Sequence, residues 1–406
     1  MNTKTVEHDS AYLPVYPGVR SQRCPFDPPA EYPGWRQAEG LQRARLWNGS
    51  TAWVVSRYED VRAVLADPRM STDARRYPLL NPGAQNGQPH AFPRMDDPDH
   101  ARLRRMLTGE FTVKRVAAMR PHIQELVDHF LDEMIDKGQP ADLVRDYALP
   151  LPSLVISMLL GVPYADHEFF QKHSATMNYA NASPEEKATA SRALFGYLAG
   201  LVESKQREPG DDLISRLIAE RVSTGELSPQ EVAMNGMILL FAGHETTANM
   251  IGLATLTLLQ NPDQAARTRD NDDPAVIANA VEELLRYLSI AQDMILRVAT
   301  EDLTISGQLV REGDVLTINL PAANRDAAFL DQPDTFDFDR NVRGHLAFGH
   351  GVHQCLGQSL ARAELRVALP SLLRRLPNLR LAIPLEEVKF RHDMSAYGVH
   401  ELPVTW

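Results

Sequence analysis

The chain has 406 residues, and its 42 Lys and Arg against 53 Asp and Glu give a formal charge of −11, which excludes a basic nucleic-acid-binding protein. Hydrophobic residues make up 44% and charged residues 23%, a globular balance that excludes disordered, collagenous and disulfide-scaffold classes. A chain of this length buries about three quarters of its extended surface, enough to enclose an interior pocket. The N-terminal segment lacks the apolar h-region of an export signal, and no apolar run reaches the ~18 residues of a membrane span. With two cysteines far apart, Cys24 and Cys355, a cytoplasmic protein without membrane attachment is predicted.

In chain order, Arg45 to Val55 predicts a β-hairpin about the turn pair Asn48-Gly49. Ser56 followed by Glu59 reads as a capping box opening a helix with Val61, Val64 and Leu65 on one face. Between Ser71 and Pro98, the residues Pro78, Pro82, Gly83, Gly87, Pro89 and Pro93 forbid a continuous helix or central strand. Such a loop is a lid, a binding loop or a mobile surface excursion. Asp97-Pro98 is placed to start a helix. Ser183-Pro184-Glu185-Glu186 and Ser228-Pro229-Gln230-Glu231 each combine an N-cap Ser, a Pro at the first helical position and a Glu at the third. The second opens a segment free of Pro as far as Gln260, roughly 48 Å at 1.5 Å per residue, which must cross the core. From Leu303 short strands follow with turns at Ser306-Gly307 and Glu312-Gly313, and β character returns after Arg391. The predicted fold class is mainly α with a smaller β-rich region. It forms one domain over 1–406, its β-rich lobe drawn from about 40–60, 290–325 and 380–406.

The most informative stretch is His345 to Gly357, HLAFGHGVHQCLG. A lone cysteine by itself reads as a small buried hydrophobe. Around Cys355, however, Gly349, Gly351 and Gly357 free the backbone to turn about the sulfur and aim N–H groups at it, which lowers a thiol pKa. A helix beginning at Leu356-Gly357 would bring its positive end close. A thiolate held in this way and packed by Phe348 suits a large flat metal complex.

Phe348-x-x-Gly351-x-x-x-Cys355-x-Gly357 resembles the haem-binding signature of the cytochrome P450 superfamily. AGHETT, FGHGVHQCLG and the terminal ELPVTW are most similar to its soluble actinobacterial members. The resemblance implies the cytochrome P450 fold with a long central helix, haem b with Cys355 as axial ligand, and no flavin or iron–sulfur cluster in this chain. It also implies a monomeric monooxygenase using dioxygen and electrons from NAD(P)H through a ferredoxin reductase and ferredoxin. Its substrate would be a bulky hydrophobic molecule of the polyketide, terpenoid, steroid or drug-like kind. A peroxide-driven haem enzyme and a non-catalytic haem sensor or carrier are the rival readings.

Ala242-Gly243-His244-Glu245-Thr246-Thr247 matches the family's oxygen-binding segment. On that pattern Ala242 and Gly243 let the helix kink and approach a ligand, Thr246 hydrogen-bonds the bound dioxygen, and Glu245 relays protons. Without the pattern, Thr246 bonding back to a carbonyl and a solvated Glu245 would read equally well. A zinc reading of His244-Glu245 fails because the position one turn later is Ala248. Glu283 and Arg286 match the family's Glu-x-x-Arg pair, with Arg340 as third member of a buried ion network bracing the cysteine loop. His100 and Arg104 match the haem-propionate pair, and Arg297 and His353 the other two contacts; Phe348, Gly349 and Gly357 complete the haem-binding set. Arg102, Arg105, Lys114, Arg115, Arg343 and Arg362 form a candidate patch for an acidic ferredoxin. Phe92, Met177, Ile238, Ile290, Met294 and Met394 are the candidate substrate-pocket residues, and their apolar character points to a hydrophobic substrate.

Overall fold

The computed structural model describes residues 13–20, 24–76, 90–179 and 181–406. The strands β1 (Gln42–Arg45) and β2 (Thr51–Val55) form the predicted hairpin, with Gly49 at φ +82°. The first strand lies earlier than predicted, and Leu46 and Trp47 belong to the loop. Asn48 accepts from the Ser50 N–H at 3.0 Å, a side-chain turn that widens the connection to five residues. The helix α1 (Tyr32–Gln37) precedes this hairpin and α2 (Tyr58–Ala66) follows it. The Ser56–Glu59 capping box does not form. Arg57 stands at the N-cap and makes no side-chain cap bond. The free N–H of Tyr58 donates instead to Asp326 at 2.9 Å, so a residue far along the chain supplies the cap.

After β3 (Met70–Ser71), residues 77–89 of the Pro- and Gly-rich stretch up to Pro98 lie outside the described residues. The helix α3 (Asp99–Thr108) starts after Asp97-Pro98 as predicted, and α4 (Val113–Lys137) is capped by the Thr112 hydroxyl. The strand β4 (Ala141–Asp142) leads to α5 (Pro150–Leu160), α6 (His167–Asn178), α7 (Pro184–Arg207) and α8 (Leu213–Leu217). Both predicted capping boxes form, Ser183 with Glu186 opening α7 and Ser228 with Glu231 opening α9 (Pro229–Leu259). The 31 residues of α9 span roughly 46 Å. Buried side chains face almost every direction from Val232 to Leu258, as a helix threading the interior requires.

Beyond α10 (Pro262–Asp270) and α11 (Pro274–Leu288) come β5 (Leu296–Ala299), β6 (Leu303–Ile305), β7 (Gln308–Val310) and β8 (Val315–Ile318). Ser306 at φ +48° and Gly307 at φ +79° make the tight turn of the β6–β7 hairpin. The chain closes with α12 (Leu320–Ala323), α13 (Gln358–Arg375), β9 (Arg380–Leu381) and β10 (Pro403–Thr405).

The main sheet has the order β1-β2-β8-β5-β3, with β2 and β8 parallel in the register Trp53 to Leu316. The C-terminal segment does not join it. β10 lies between β4 and β9 in a separate sheet, so the predicted β lobe divides in two. After Arg391 the chain makes only isolated bridges before β10, because Met394, Ala396 and Val399 pair with three different segments. The largest apolar cluster surrounds α9, and a second fills the space between the main sheet and α2. No helix among the described residues is long and apolar enough to cross a membrane.

Candidate active site

The loop from Leu346 to Gly357 is folded tightly by its own backbone. The Cys355 N–H donates to the Phe348 carbonyl at 2.9 Å, and the Gly349 N–H to that of Leu346 at 2.8 Å. Gly349 and Gly351 both sit at φ +72°, a region open to glycine. At Gly351 a Cβ would also come within 2.4 Å of the Leu65 carbonyl oxygen at the end of α2. Cys355 is exposed. Burial raises its thiol pKa, against the opposing pull of the Gly357 and Gln358 amides and the Arg104 and Arg362 guanidiniums. The expected donors are therefore present, but in the protein alone desolvation outweighs them; a cationic metal at the sulfur would reverse the balance.

Phe348 lies under the Arg362 guanidinium, 4.5 Å from its ring centre. Arg362 in turn holds Glu282 through two bonds of 2.7 and 2.9 Å, and His345 reaches the same carboxylate at 3.0 Å. Burial would raise the Glu282 pKa, but these hydrogen bonds hold it down to about 2. Sequence reasoning took the neighbouring Glu283 and missed this hub, whose only signal was the doubled acid.

Glu283 and Arg286 are fully buried and meet at 2.7 and 2.8 Å. Arg286 also donates to the carbonyls of Asn324, Pro333 and Thr335 at 2.7 to 3.0 Å. Asn324 accepts from the Leu346 N–H at 2.6 Å and so ties this pair to the cysteine loop. Arg340 does not enter the buried ion pair. Its donors go to the carbonyls of Gln332, Thr335 and Asp331, because the Glu283 oxygens are already taken by Arg286 and the Asp337 N–H. The shared Thr335 carbonyl is its link to Arg286.

Beside the cysteine loop, cations crowd together. The rings of His100 and His353 lie 4.0 Å apart, and each has one buried nitrogen without a partner. Arg104 donates to the Gln354 carbonyl at 2.6 Å, and Arg297 is buried, held down to about 10 by desolvation and by Arg94. Desolvation, reinforced by Arg297, His100, Arg104 and Arg94, holds His353 down to about 3. Arg94 is the member that sequence reasoning missed, since the 3-10 turn Phe92–Arg94 breaks any helical register with His100. Three guanidiniums around two orphaned imidazole nitrogens are uncompensated as they stand, and two carboxylates at that position would compensate them. A dianionic macrocycle edge beside the Cys355 sulfur fits these residues.

On α9, Ala242 is exposed, and the Thr246 hydroxyl donates to its carbonyl at 2.7 Å. Glu245 is buried and accepts from the Asn178 amide at the end of α6. Burial and this partner separate it from an ordinary solvated glutamate. The helix runs on through Gly243, where a Cβ would meet Ile156 of α5 at 2.8 Å, so this glycine lets α5 and α9 pack closely.

Of the six pocket candidates, Phe92 and Met394 are buried, while Met177, Ile238, Ile290 and Met294 are half-buried. The Phe92 N–H points to Asn235 of α9 at 3.4 Å, and the backbone of Met394 bridges that of Tyr179 just beyond α6. In the basic patch, Arg102 pairs with Glu231 at 2.5 Å, Arg115 with Glu110 at 3.4 Å, and Arg362 with Glu282. Arg105, Lys114 and Arg343 are exposed with no ion pair among the described residues, and Val113 and Val352 are exposed by 76% and 58%.

The family model for cytochrome P450 matches residues 42–389, and the chain belongs to that family. Among its relatives is cytochrome P450-SU2 of Streptomyces griseolus, 52% identical over 394 residues that cover 96% of each chain. The crystal structure of GfsF, a cytochrome P450 found in Streptomyces halstedii, has a TM-score of 0.86 at 48% identity, covering 97% of this chain and 100% of that one. The mycinamicin VIII C21 methyl hydroxylase MycCI from Micromonospora griseorubida, bound to mycinamicin VIII, has a TM-score of 0.89 at 41% identity with the same coverage. The protein is accordingly a P450 monooxygenase, a haem-thiolate oxidoreductase that takes a small substrate, dioxygen and electrons from redox partners.

Proposed function

We propose that this enzyme hydroxylates a bulky hydrophobic molecule of the polyketide or terpenoid kind. In this reading haem b is bound through Cys355, and electrons come from NAD(P)H through a ferredoxin reductase and a ferredoxin. The bound haem supplies the redox chemistry: with two electrons and two protons, one atom of dioxygen enters a C–H bond and the other leaves as water. The observation that carries the proposal is the accessible Cys355 sulfur beside a cluster of cations that lack their anions.

Each residue has a distinct task. Cys355, as thiolate, is the metal ligand, and the Gly357 and Gln358 amides steady its charge. Arg104 and Arg297 pair with the two carboxylates, and His353, kept neutral by burial, donates its free ring N–H, while His100 spends its Nδ1–H on the Asp97 carboxylate at 3.1 Å and packs against the His353 ring. Glu245 holds a proton source inside the protein, aimed by the Asn178 amide. Thr246 spends its hydrogen on the Ala242 carbonyl and keeps its oxygen lone pairs for a donor. The Glu283–Arg286 pair keeps the cysteine loop at its place, with Arg340 bracing the outer side of the same carbonyl. The buried, amide-held Glu245 favours dioxygen chemistry over a peroxide-driven enzyme, which has no use for a delivered proton. Arg105, Lys114 and Arg343, with Val113 and Val352, offer a cationic and apolar face to an acidic ferredoxin. We infer a cytoplasmic monomer without flavin or iron–sulfur cluster.

The reduced protein treated with carbon monoxide is expected to show the red-shifted Soret band of sulfur-ligated iron, and Cys355→Ala is expected to abolish it. Retention of the band in that variant overturns the proposal. A screen of hydrophobic small molecules for a spin-state change then narrows the substrate.

A further inference from the structure

Phe348 meets the sulfur-bearing loop and a charge network at once. Its carbonyl accepts from the Cys355 N–H at 2.9 Å, and its ring lies 4.5 Å beneath the Arg362 guanidinium. Arg362 has a second hold on the same region. Its Nη1 donates to the side-chain carbonyl of Gln358, one turn back on α13, at 3.0 Å, and the Gln358 backbone amide is one of the two that face the Cys355 sulfur. A half-buried positive charge is thus fixed against both the ring and the amide that flank the sulfur.

Glu282 of α11 answers that charge. Its two oxygens take the Arg362 Nε and Nη2 at 2.7 and 2.9 Å, a forked pair that fixes the plane of the guanidinium over Phe348. Arg366, one turn further along α13 and the more exposed of the two arginines, reaches the same carboxylate only at 3.4 Å. His345 fills the remaining place at 3.0 Å. Because its Nδ1 accepts from the Ala347 N–H at 3.2 Å, its proton sits on Nε2 and points at Glu282. His345 therefore brings a neutral donor, and the carboxylate is left to balance Arg362.

This arrangement exceeds what bracing needs. Glu283 and Arg286 already fasten α11 to the cysteine loop through Asn324. A cation near a thiolate draws charge towards itself and weakens what the sulfur gives to a bound metal, and a carboxylate behind the cation restores it.

We propose that Glu282 is a positioning residue that, through Arg362, sets how much charge the Cys355 thiolate gives to the metal. This deepens the haem-thiolate reading above and rests on Cys355 being the ligand.

The test uses the haem-loaded enzyme, with two readings taken per haem: the reduction potential and the C–O stretching frequency of the reduced carbon monoxide complex. Glu282→Gln removes the balancing charge but keeps the size of the side chain. Both readings are expected to rise, the potential by about 59 mV, a tenfold change in a one-electron equilibrium. Arg362→Met removes the cation, and both readings are expected to fall. Joined in one protein, the two changes are expected to cancel in large part. Arg362→Lys keeps the charge and is expected to stay near the parent. Opposite signs mark a charge effect, since two variants that only loosened the loop would move the readings the same way. Shifts of one sign in both single variants, or a potential unmoved in either, overturn the proposal. If Glu282→Gln retains too little haem, Arg362→Met and Arg362→Lys decide alone, and equal shifts in those two overturn it. Cys355→Ala removes the sulfur-ligated band whatever happens at Glu282, so the ligand reading stands or falls separately.

Discussion

The side-chain amide of Asn178, the last residue of α6, donates to the buried carboxylate of Glu245 in the middle of α9. The Asn178 carbonyl also receives the Ser395 N–H at 3.3 Å. One residue thus fastens the end of α6 both to the acid of the central helix and to the turn at Met394. An amide suits this position, since it orients the carboxylate without competing for its proton.

Asn178→Ala leaves a buried carboxylate short of one donor, worth about 1.5 to 3 kcal/mol. Product formed per NAD(P)H consumed is expected to fall by roughly tenfold, while the carbon monoxide spectrum stays as in the parent. Parallel assays of NAD(P)H, product and hydrogen peroxide measure this. An unchanged coupling ratio would show that the amide does not aim the acid.

Glu245→Gln keeps the shape and the Asn178 contact but removes the exchangeable proton, so turnover is expected to drop roughly 100-fold, the scale of a lost general acid. Thr246→Ala is expected to keep consuming dioxygen and to divert it to peroxide. A variant pair in which both retain parental product yield assigns proton delivery to other groups.

The Glu283–Arg286 pair has no solvent on either side. Glu283→Gln leaves the guanidinium buried with no counter-charge, at a loss of about 3 to 5 kcal/mol. The expected result is a lower melting temperature and poor haem content, with near-normal turnover per haem retained. A fully haem-loaded variant with parental melting temperature contradicts a bracing role.

Glu282 sets a pH dependence. Its carboxyl is held at about 2 in the fold against an ordinary 4.5, through His345 and Arg362. The unfolded chain binds its proton first, so this contribution is complete above about pH 5 and is lost as pH falls towards 2. It amounts to roughly 2 to 3 kcal/mol. Denaturant unfolding of the parent and of Glu282→Gln is expected to differ at pH 7 and to converge near pH 2. A gap of constant size over that range rules this linkage out.

Arg105 and Arg102 are neighbours with different circumstances. Arg105 is exposed without an ion pair among the described residues, whereas Arg102 is engaged by Glu231 at 2.5 Å. Arg105→Glu is expected to slow ferredoxin-driven turnover several-fold at low salt, with the difference vanishing at high salt as charges are screened. Arg102→Gln is expected to do much less. Equal effects of the two, or an effect insensitive to salt, place the docking face elsewhere.

The features legible in the sequence were those whose cause lies within a few neighbouring residues. The Ser183 and Ser228 boxes, the Asn48-Gly49 turn and the glycines about Cys355 each state their geometry locally, and the long helix follows from a capped segment free of Pro. What was not legible depends on partners brought in by the fold. The amide of Asn178 meets Glu245 from 67 positions away, Arg362 reaches Glu282 across 80, and Asp326 caps α2 across 268. Ser56 looked like a cap because its spacing to Glu59 was right, but the competing carboxylate of Asp326 is invisible to any local pattern. Arg340 was placed in the buried network because spacing alone does not tell a carbonyl acceptor from a carboxylate.

Gly351 touches the Leu65 carbonyl with no room for even a methyl group. The last turn of α2 therefore works as a mechanical stop against the back of the sulfur-bearing loop. Thickening the loop by one carbon, as in Gly351→Ala, would force the loop off this backbone, so the seat of the sulfur-bearing loop is set by a helix that takes no part in the chemistry.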